Sequence, residues 1–289
     1  MKFFENLKFA FRKYVIKSYL LIFSLILGVA SIVFVFVPLN NSRSKIIAIV
    51  VLTTVIIVTF IINFLILKNR NFIKIKINET NVIIKYANIF DNTLFKNNTF
   101  RIIGANDYFD THLGDGIIDE NTLHGKFLKI YNESCKDLDK RILADKRLNE
   151  IAYTESTPTR DYNKTKKYQL GSIFLDKKTN FILVAISHFD ENNNAKLTTN
   201  ELLKCYLNMW NEISIIKESH CIALPLLGDS PNIQMDTALS SQEILETLLF
   251  SFKLSNVQIK PPANLAIILN KSIKKDLNLQ KIKETYLGE

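Results

Sequence analysis

The chain has 289 residues, with 37 Lys/Arg against 28 Asp/Glu and a formal charge of +9. That excess does not form a nucleic-acid face, because residues 1–76 hold eleven Lys/Arg and one acid while the remainder is nearly balanced. The basic residues therefore flank two apolar runs, where a membrane accounts for them. Cys135, Cys205 and Cys221 are odd in number and lack C-x-x-C spacing, and the four histidines show no ligand spacing. A disulfide framework, a metal site and a resident cofactor are accordingly not expected.

Residues 2–13 set Phe3, Phe4, Leu7 and Phe11 among basic residues. They read either as an amphipathic stretch on the inner leaflet or as an ordinary charged anchor. Ser18–Val37 and Ile46–Leu67 are charge-free runs of 20 and 22 residues, joined by an eight-residue connector. Each is long enough to span a bilayer. Lys and Arg crowd the outer flanks of the pair, which places both termini and the following domain in the cytoplasm, at the inner membrane. Ser24, Gly28 and Ser31 make a small-residue stripe, and Thr59 and Asn63 lie four apart. Both features are expected to pack the two spans on each other rather than between chains. No ionisable residue lies within the spans, which argues against a proton relay.

The hairpin occupies 1–71 and the soluble part 72–289. Alternation at Ile73, Ile75 and Ile77, a polar turn at 78–81 and the run Val82–Tyr86 predict a strand pair. A short apolar strand over Phe100–Ala105 opens into a polar loop, and Leu123–Tyr131 resumes as a helix or a strand. Lys136–Ile151 reads as one surface helix and Glu155–Lys167 as a loop. Strands follow over Tyr168–Leu175 and Phe181–Phe189, then a helix opened by the Thr198–Glu201 capping box. His220–Leu227 is a strand ending in Gly-Asp-Ser-Pro, Ser240–Glu243 opens a helix through Leu254, Leu265–Leu269 is a strand, and a helix runs from Ser272. Strands alternating with capped helices give an α/β sheet covered on both faces.

Two strand ends carry the chemistry. Ligands of open α/β sheets sit beyond the carboxyl ends of strands. Gly104, Ala105 and Asn106 offer close backbone approach and an amide, and Gly228, Asp229 and Ser230 offer a tight loop near a helix start. Each residue has a plainer reading: Asn106 as an Asx turn, Asp107 and Asp110 as solvated loop or local cap, His124 as a packed imidazole, Gly228 as a simple turn. Among Asp107, Asp110, Asp115 and Asp119 no spacing singles out a general base. There is no nucleophile elbow and no Walker lysine.

The segments Gly-Ala-Asn-Asp-Tyr-Phe-Asp-Thr (104–111), Leu-His-Gly-Lys-Phe (123–127) and Leu-Pro-Leu-Leu-Gly (224–228) resemble the divergent macro domain of Thoeris anti-phage defence effectors. The two-span hairpin is similar to that of ThsA-type effectors with N-terminal transmembrane helices. The resemblance implies a three-layer αβα macro fold with a mixed sheet, binding an ADP-ribose derivative made by a TIR-domain partner, a histidine–ADP-ribose conjugate being the species for the membrane type. Binding would drive homo-oligomerisation and membrane disruption. The implied site holds Asn88 at adenine, Ala105 and Asn106 at the distal ribose or its conjugated group, and Gly228, Asp229 and Ser230 at the diphosphate. Asp110 and Thr111 of the first segment and His124, Gly125 and Lys126 of the second complete it. This chain has Ala87-Asn88-Ile89 where ordinary macro domains have Gly-Asp-Ile, and it lacks their hydrolase runs, so a non-catalytic effector is expected. The rivals are a membrane-tethered ADP-ribosyl hydrolase and a passive membrane adaptor.

Overall fold

A computed structural model describes residues 13–36, 41–68, 71–95, 98–114, 117–131, 135–151, 153–155 and 164–286. The amphipathic stretch before the first span, most of the 155–167 loop and Asp115 lie outside these. The chain divides into two units, residues 1–71 and 72–289.

In the first unit, α1 (Lys13–Phe36) and α2 (Ser42–Lys68) are two helices. Their stretches Ser18–Phe36 and Ser42–Ile66 are long and apolar enough to cross a membrane. The polar residues of α2 meet α1: Asn63 Nδ2 donates to Ser18 Oγ at 3.1 Å, and Thr59 Oγ1 lies 3.0 Å from the Tyr19 hydroxyl. Tyr19 also packs edge-on against Phe60. The Ser24–Gly28–Ser31 stripe behaves differently from the expectation. Ser24 and Ser31 bond their own helix, and a Cβ on Gly28 would meet nothing within 4 Å.

The second unit begins with β1 (Phe72–Ile77) and β2 (Thr80–Tyr86), an antiparallel pair joined at Asn78 and Glu79. Both turn residues have positive φ, the twist that suits a two-residue hairpin. β3 (Thr99–Asn106) follows. The Leu123–Tyr131 ambiguity resolves to a helix, α3 (Leu123–Ile130), capped by the Thr122 side chain. The single helix expected over 136–151 is two, α4 (Cys135–Leu143) and α5 (Lys146–Glu150). The Asp145 carboxylate accepts from Leu148 N at 2.8 Å, and that cap restarts the helix.

β4 (Tyr153–Glu155) pairs with β5 (Lys166–Tyr168), so the ends of the expected loop are a two-stranded ribbon. The run Tyr168–Leu175 is broken by a turn at Leu170 and Gly171 before β6 (Ile173–Asp176). β7 (Phe181–Phe189), β8 (Ala195–Leu197) and α6 (Thr199–Ile216) come next. They are followed by β9 (Cys221–Pro225), β10 (Ile233–Met235), α7 (Ser241–Leu254) and β11 (Leu265–Leu269). The expected terminal helix is a 3-10 turn, Lys271–Lys275, and then α8 (Leu279–Thr285).

The sheet runs β1-β2-β11-β9-β3-β7-β8-β10, with β6 also on β7. β2, β11, β9, β3 and β7 are mutually parallel, while β1, β6 and β8 join antiparallel. One face buries Leu202, Tyr206, Trp210, Leu248 and Phe252 from α6 and α7, with Ile282 from α8. The other buries Phe127, Leu138, Ile142 and Leu148 from α3, α4 and α5. The unit is therefore a three-layer αβα fold with a mixed sheet. Burial on both faces explains why β7 and β11 read as unbroken apolar runs rather than alternating ones.

Candidate ligand site

Because the five central strands are parallel, their carboxyl ends fall on one edge of the sheet. That edge gathers Asn88 after β2, Asn106 at the end of β3 and Gly228 after β9. Two segments about a hundred residues apart in sequence are thus brought side by side. Asn232 Nδ2, in the loop after β9, donates to Asp119 Oδ2 at 3.3 Å, in the loop after β3.

β3 ends on a bulge at Ala105/Asn106. Gly104 packs closely there, since a Cβ would stand 3.0 Å from Ile186 Cγ2. Asn106 is buried and organises the loop: its Oδ1 accepts from Tyr108 N and Asp110 N, each at 3.1 Å, and its Nδ2 donates to Asp110 Oδ2 at 2.8 Å. This is Asx-turn geometry. Thr111 is held by Asp139 of α4 at 2.8 Å. Lys164 reaches both Asp139 and the Phe109 carbonyl.

Asp107 is not a solvated loop residue. It is fully buried, with Oδ2 2.6 Å from His188 Nδ1 and Oδ1 accepting from Phe189 N at 3.1 Å. Lys167 lies at 3.4 Å, and His188 Nε2 is 3.5 Å from Glu201 of α6. This network ties the tips of β3 and β7 to the first turn of α6. The partner, eighty-one residues away, carries no local signal that spacing could have found.

α3 sits against the 119–120 backbone, and only glycine permits it. A Cβ on Gly125 would lie 2.3 Å from Asp119 O and 2.7 Å from Glu120 Cα. Next to it His124 is buried with no hydrogen-bond partner at Nε2. Burial, and then the charge of Lys164, push its pKa down to about 3, so the imidazole is neutral. Ala105 is buried with this group, and Lys126 projects outward.

On the β9 side, Gly228 takes φ +82°, and a Cβ would stand 3.0 Å from Leu202 Cδ1. The Tyr206 hydroxyl donates to Leu227 O at 2.6 Å, so α6 pins the loop from beneath. Asp229 is turned toward the start of α7, accepting from Ser241 Oγ at 3.0 Å, and partial burial holds its pKa above the usual carboxylate range. Ser230 is half-buried beside it, and exposed Asn88 folds its Oδ1 onto Phe90 N at 3.0 Å. Asn106, Asp110, Thr111 and His124 are thus buried, while Asn88 and Lys126 are exposed and Asp229 and Ser230 are half-buried. The arrangement offers hydrogen bonds and backbone approach. Among the described residues no group of three or more His, Cys, Asp or Glu could hold a metal ion.

Residues 82–270 match the family described as Thoeris protein ThsA, Macro domain. The chain belongs to this ThsA family. It is 35% identical over 247 residues to the Thoeris protein ThsA of Bacillus amyloliquefaciens strain Y2, covering 84% of this chain and 80% of that relative. The ThsA alignment thus extends well beyond the macro segment. The structure is also similar to a mutant macrodomain of Oceanobacillus iheyensis, at 14% identity and a TM-score of 0.46, over 75% of this chain and 98% of that one.

Proposed function

We propose that the chain is a membrane-anchored effector of anti-phage defence whose macro domain binds an ADP-ribose-derived signal. The signal is made by a TIR-domain partner, and the form expected for this membrane type is a histidine–ADP-ribose conjugate. Membership of the ThsA family supports the defence role, and two apolar helices ahead of the macro domain support anchoring, with the domain on the cytoplasmic side. The observation that carries the ligand reading is the convergence of the β2, β9 and β3 tips on one edge, with the Asn232–Asp119 contact joining two of their loops. In this reading Gly228, Asp229 and Ser230 take the diphosphate, and Asn88 meets adenine. Ala105, Asn106, Asp110, Thr111, His124, Gly125 and Lys126 form the pocket for the distal ribose and its conjugated group. Occupancy changes how copies assemble in the bilayer and so breaches the membrane. The chain acts by binding, without turning its ligand over.

Calorimetric titration of the full-length protein in nanodiscs with ADP-ribose and with its histidine conjugate tests this. Saturable binding is expected, weakened in Ser230→Asp, which sets a carboxylate against the diphosphate. Mass spectrometry should recover the ligand intact after long incubation. No saturable heat with either compound overturns the reading, and conversion of the ligand to fragments replaces it with the hydrolase.

A further inference from the structure

At the opposite edge of the sheet, where β3 and β7 begin, lies an open cavity of about 440 Å³. Its wall carries Arg101 of β3, Arg141 of α4 and Lys178 of the turn before β7, together with Asn92, Tyr131 and Thr179. No carboxylate is among its described lining residues.

Arg101 is the telling residue. It is only 9% exposed, so its charge has been withdrawn from water. One guanidinium nitrogen donates to Asn92 Oδ1 at 2.7 Å and the other to the Tyr131 hydroxyl at 3.2 Å. The group lies over the Phe181 ring, 4.2 Å from its centroid. These partners are all neutral, and among the described residues no carboxylate pairs with it. A charge buried among neutral groups is costly unless an anion joins it. Arg141 differs: it is forked onto Asp176, with Nε to Oδ1 at 3.1 Å and Nη2 to Oδ2 at 3.2 Å, and this pair fixes the α4 wall.

Each guanidinium has five N–H donors, and the contacts above use two of them, so both retain donors for a further acceptor. Arg101 from the strand and Arg141 from the helix line the cavity beside the Lys178 turn, so an acceptor within it meets cationic donors from more than one element. A tetrahedral phosphate with several oxygens meets that geometry better than a planar carboxylate. We propose that this cavity is a second anion site, which takes the phosphate group of a small soluble molecule on Arg101. It is separate from the strand-tip loops and does not depend on how those loops are read.

Titration of the full-length protein in detergent with inorganic phosphate, ionic strength held constant with chloride, tests the site. Saturable one-site binding is expected, weakened about ten- to a hundredfold in Arg101→Lys, which keeps the charge and loses the fork. Lys178→Glu, at an exposed turn position outside the core, should abolish binding while thermal unfolding stays as in the parent. Absence of saturable binding, or phosphate binding unchanged in Lys178→Glu, overturns the proposal. Phosphate binding lost in Ser230→Asp and kept in Lys178→Glu overturns it as well, by placing the anion in the strand-tip loops.

Discussion

Gly125 and His124 stand next to each other, and opposite physical effects decide what they do. In a helix, Gly125→Ala would ordinarily gain about 1 kcal/mol of propensity. Here the added Cβ meets backbone at 2.3 Å and 2.7 Å, which no side-chain rotation can relieve. The clash outweighs the propensity, and the variant is expected to lose about 2–4 kcal/mol in urea unfolding. A gain would mean that α3 can lift off the 119–120 segment freely. His124 is neutral in the fold, with its pKa pushed down to about 3, against an ordinary value near 6.5 in the unfolded chain. Between those values the unfolded chain binds the extra proton. Stability is therefore whole above about pH 6.5 and falls as the pH is lowered toward 3. His124→Phe removes that slope, so its urea midpoints at about pH 5 and pH 7.5 should differ less than those of the parent. An equal difference in both would assign the acid sensitivity to another group.

At the scale of elements, α6 both anchors the core and holds one loop of the candidate site. Its start is a full capping box, in which Thr198 accepts from Glu201 N and Glu201 accepts from Thr198 N. Farther along, the Tyr206 hydroxyl holds the loop after β9. Thr198→Ala should cost about 1 kcal/mol, measured as a shift in the denaturant midpoint, with the fold unchanged. The two site loops are joined across the edge by the Asn232–Asp119 bond, which is exposed and so worth little to stability. In the proposed function this bond holds the two loops together, and binding the ligand parts them. Asn232→Ala is expected to leave the unfolding midpoint within experimental scatter and to tighten binding of the histidine–ADP-ribose conjugate. Weaker binding would make Asn232 a ligand contact rather than a latch.

For the whole molecule, two units of contrasting surface character share one chain. The hairpin exposes apolar side chains along both helices, and its polar groups Asn63 and Thr59 are matched to Ser18 and Tyr19 within the same hairpin. Interhelical bonds of this kind are each worth about 0.6 kcal/mol, so they set register within the pair more than they hold an assembly. In the proposed function, assembly draws on ligand occupancy of the macro domain. Native mass spectrometry of the protein in detergent should show higher oligomers on adding the histidine–ADP-ribose conjugate in the parent, and a single unshifted state in Ser230→Asp. Oligomers formed equally in both would separate assembly from this site.

The two membrane-length helices, both capping boxes and the long strands Phe181–Phe189 and Leu265–Leu269 were legible in the sequence. Each rests on contacts between residues a few positions apart, or on an unbroken run of one polarity. The three-residue strands Ala195–Leu197 and Ile233–Met235 were not legible, because so few residues carry no period, and only pairing with neighbouring strands makes them strands. Residues 104–111, 123–127 and 224–228 marked the candidate site, but the contacts their side chains make were set by the fold. Asp107 is a buried tie because the tip of β7 brings His188 to it, and Arg101 is a buried cation because Phe181 and Tyr131 cover it. Local patterning wrote the elements of this protein, while the parallel sheet decided which strand ends share an edge and which charges water can no longer reach.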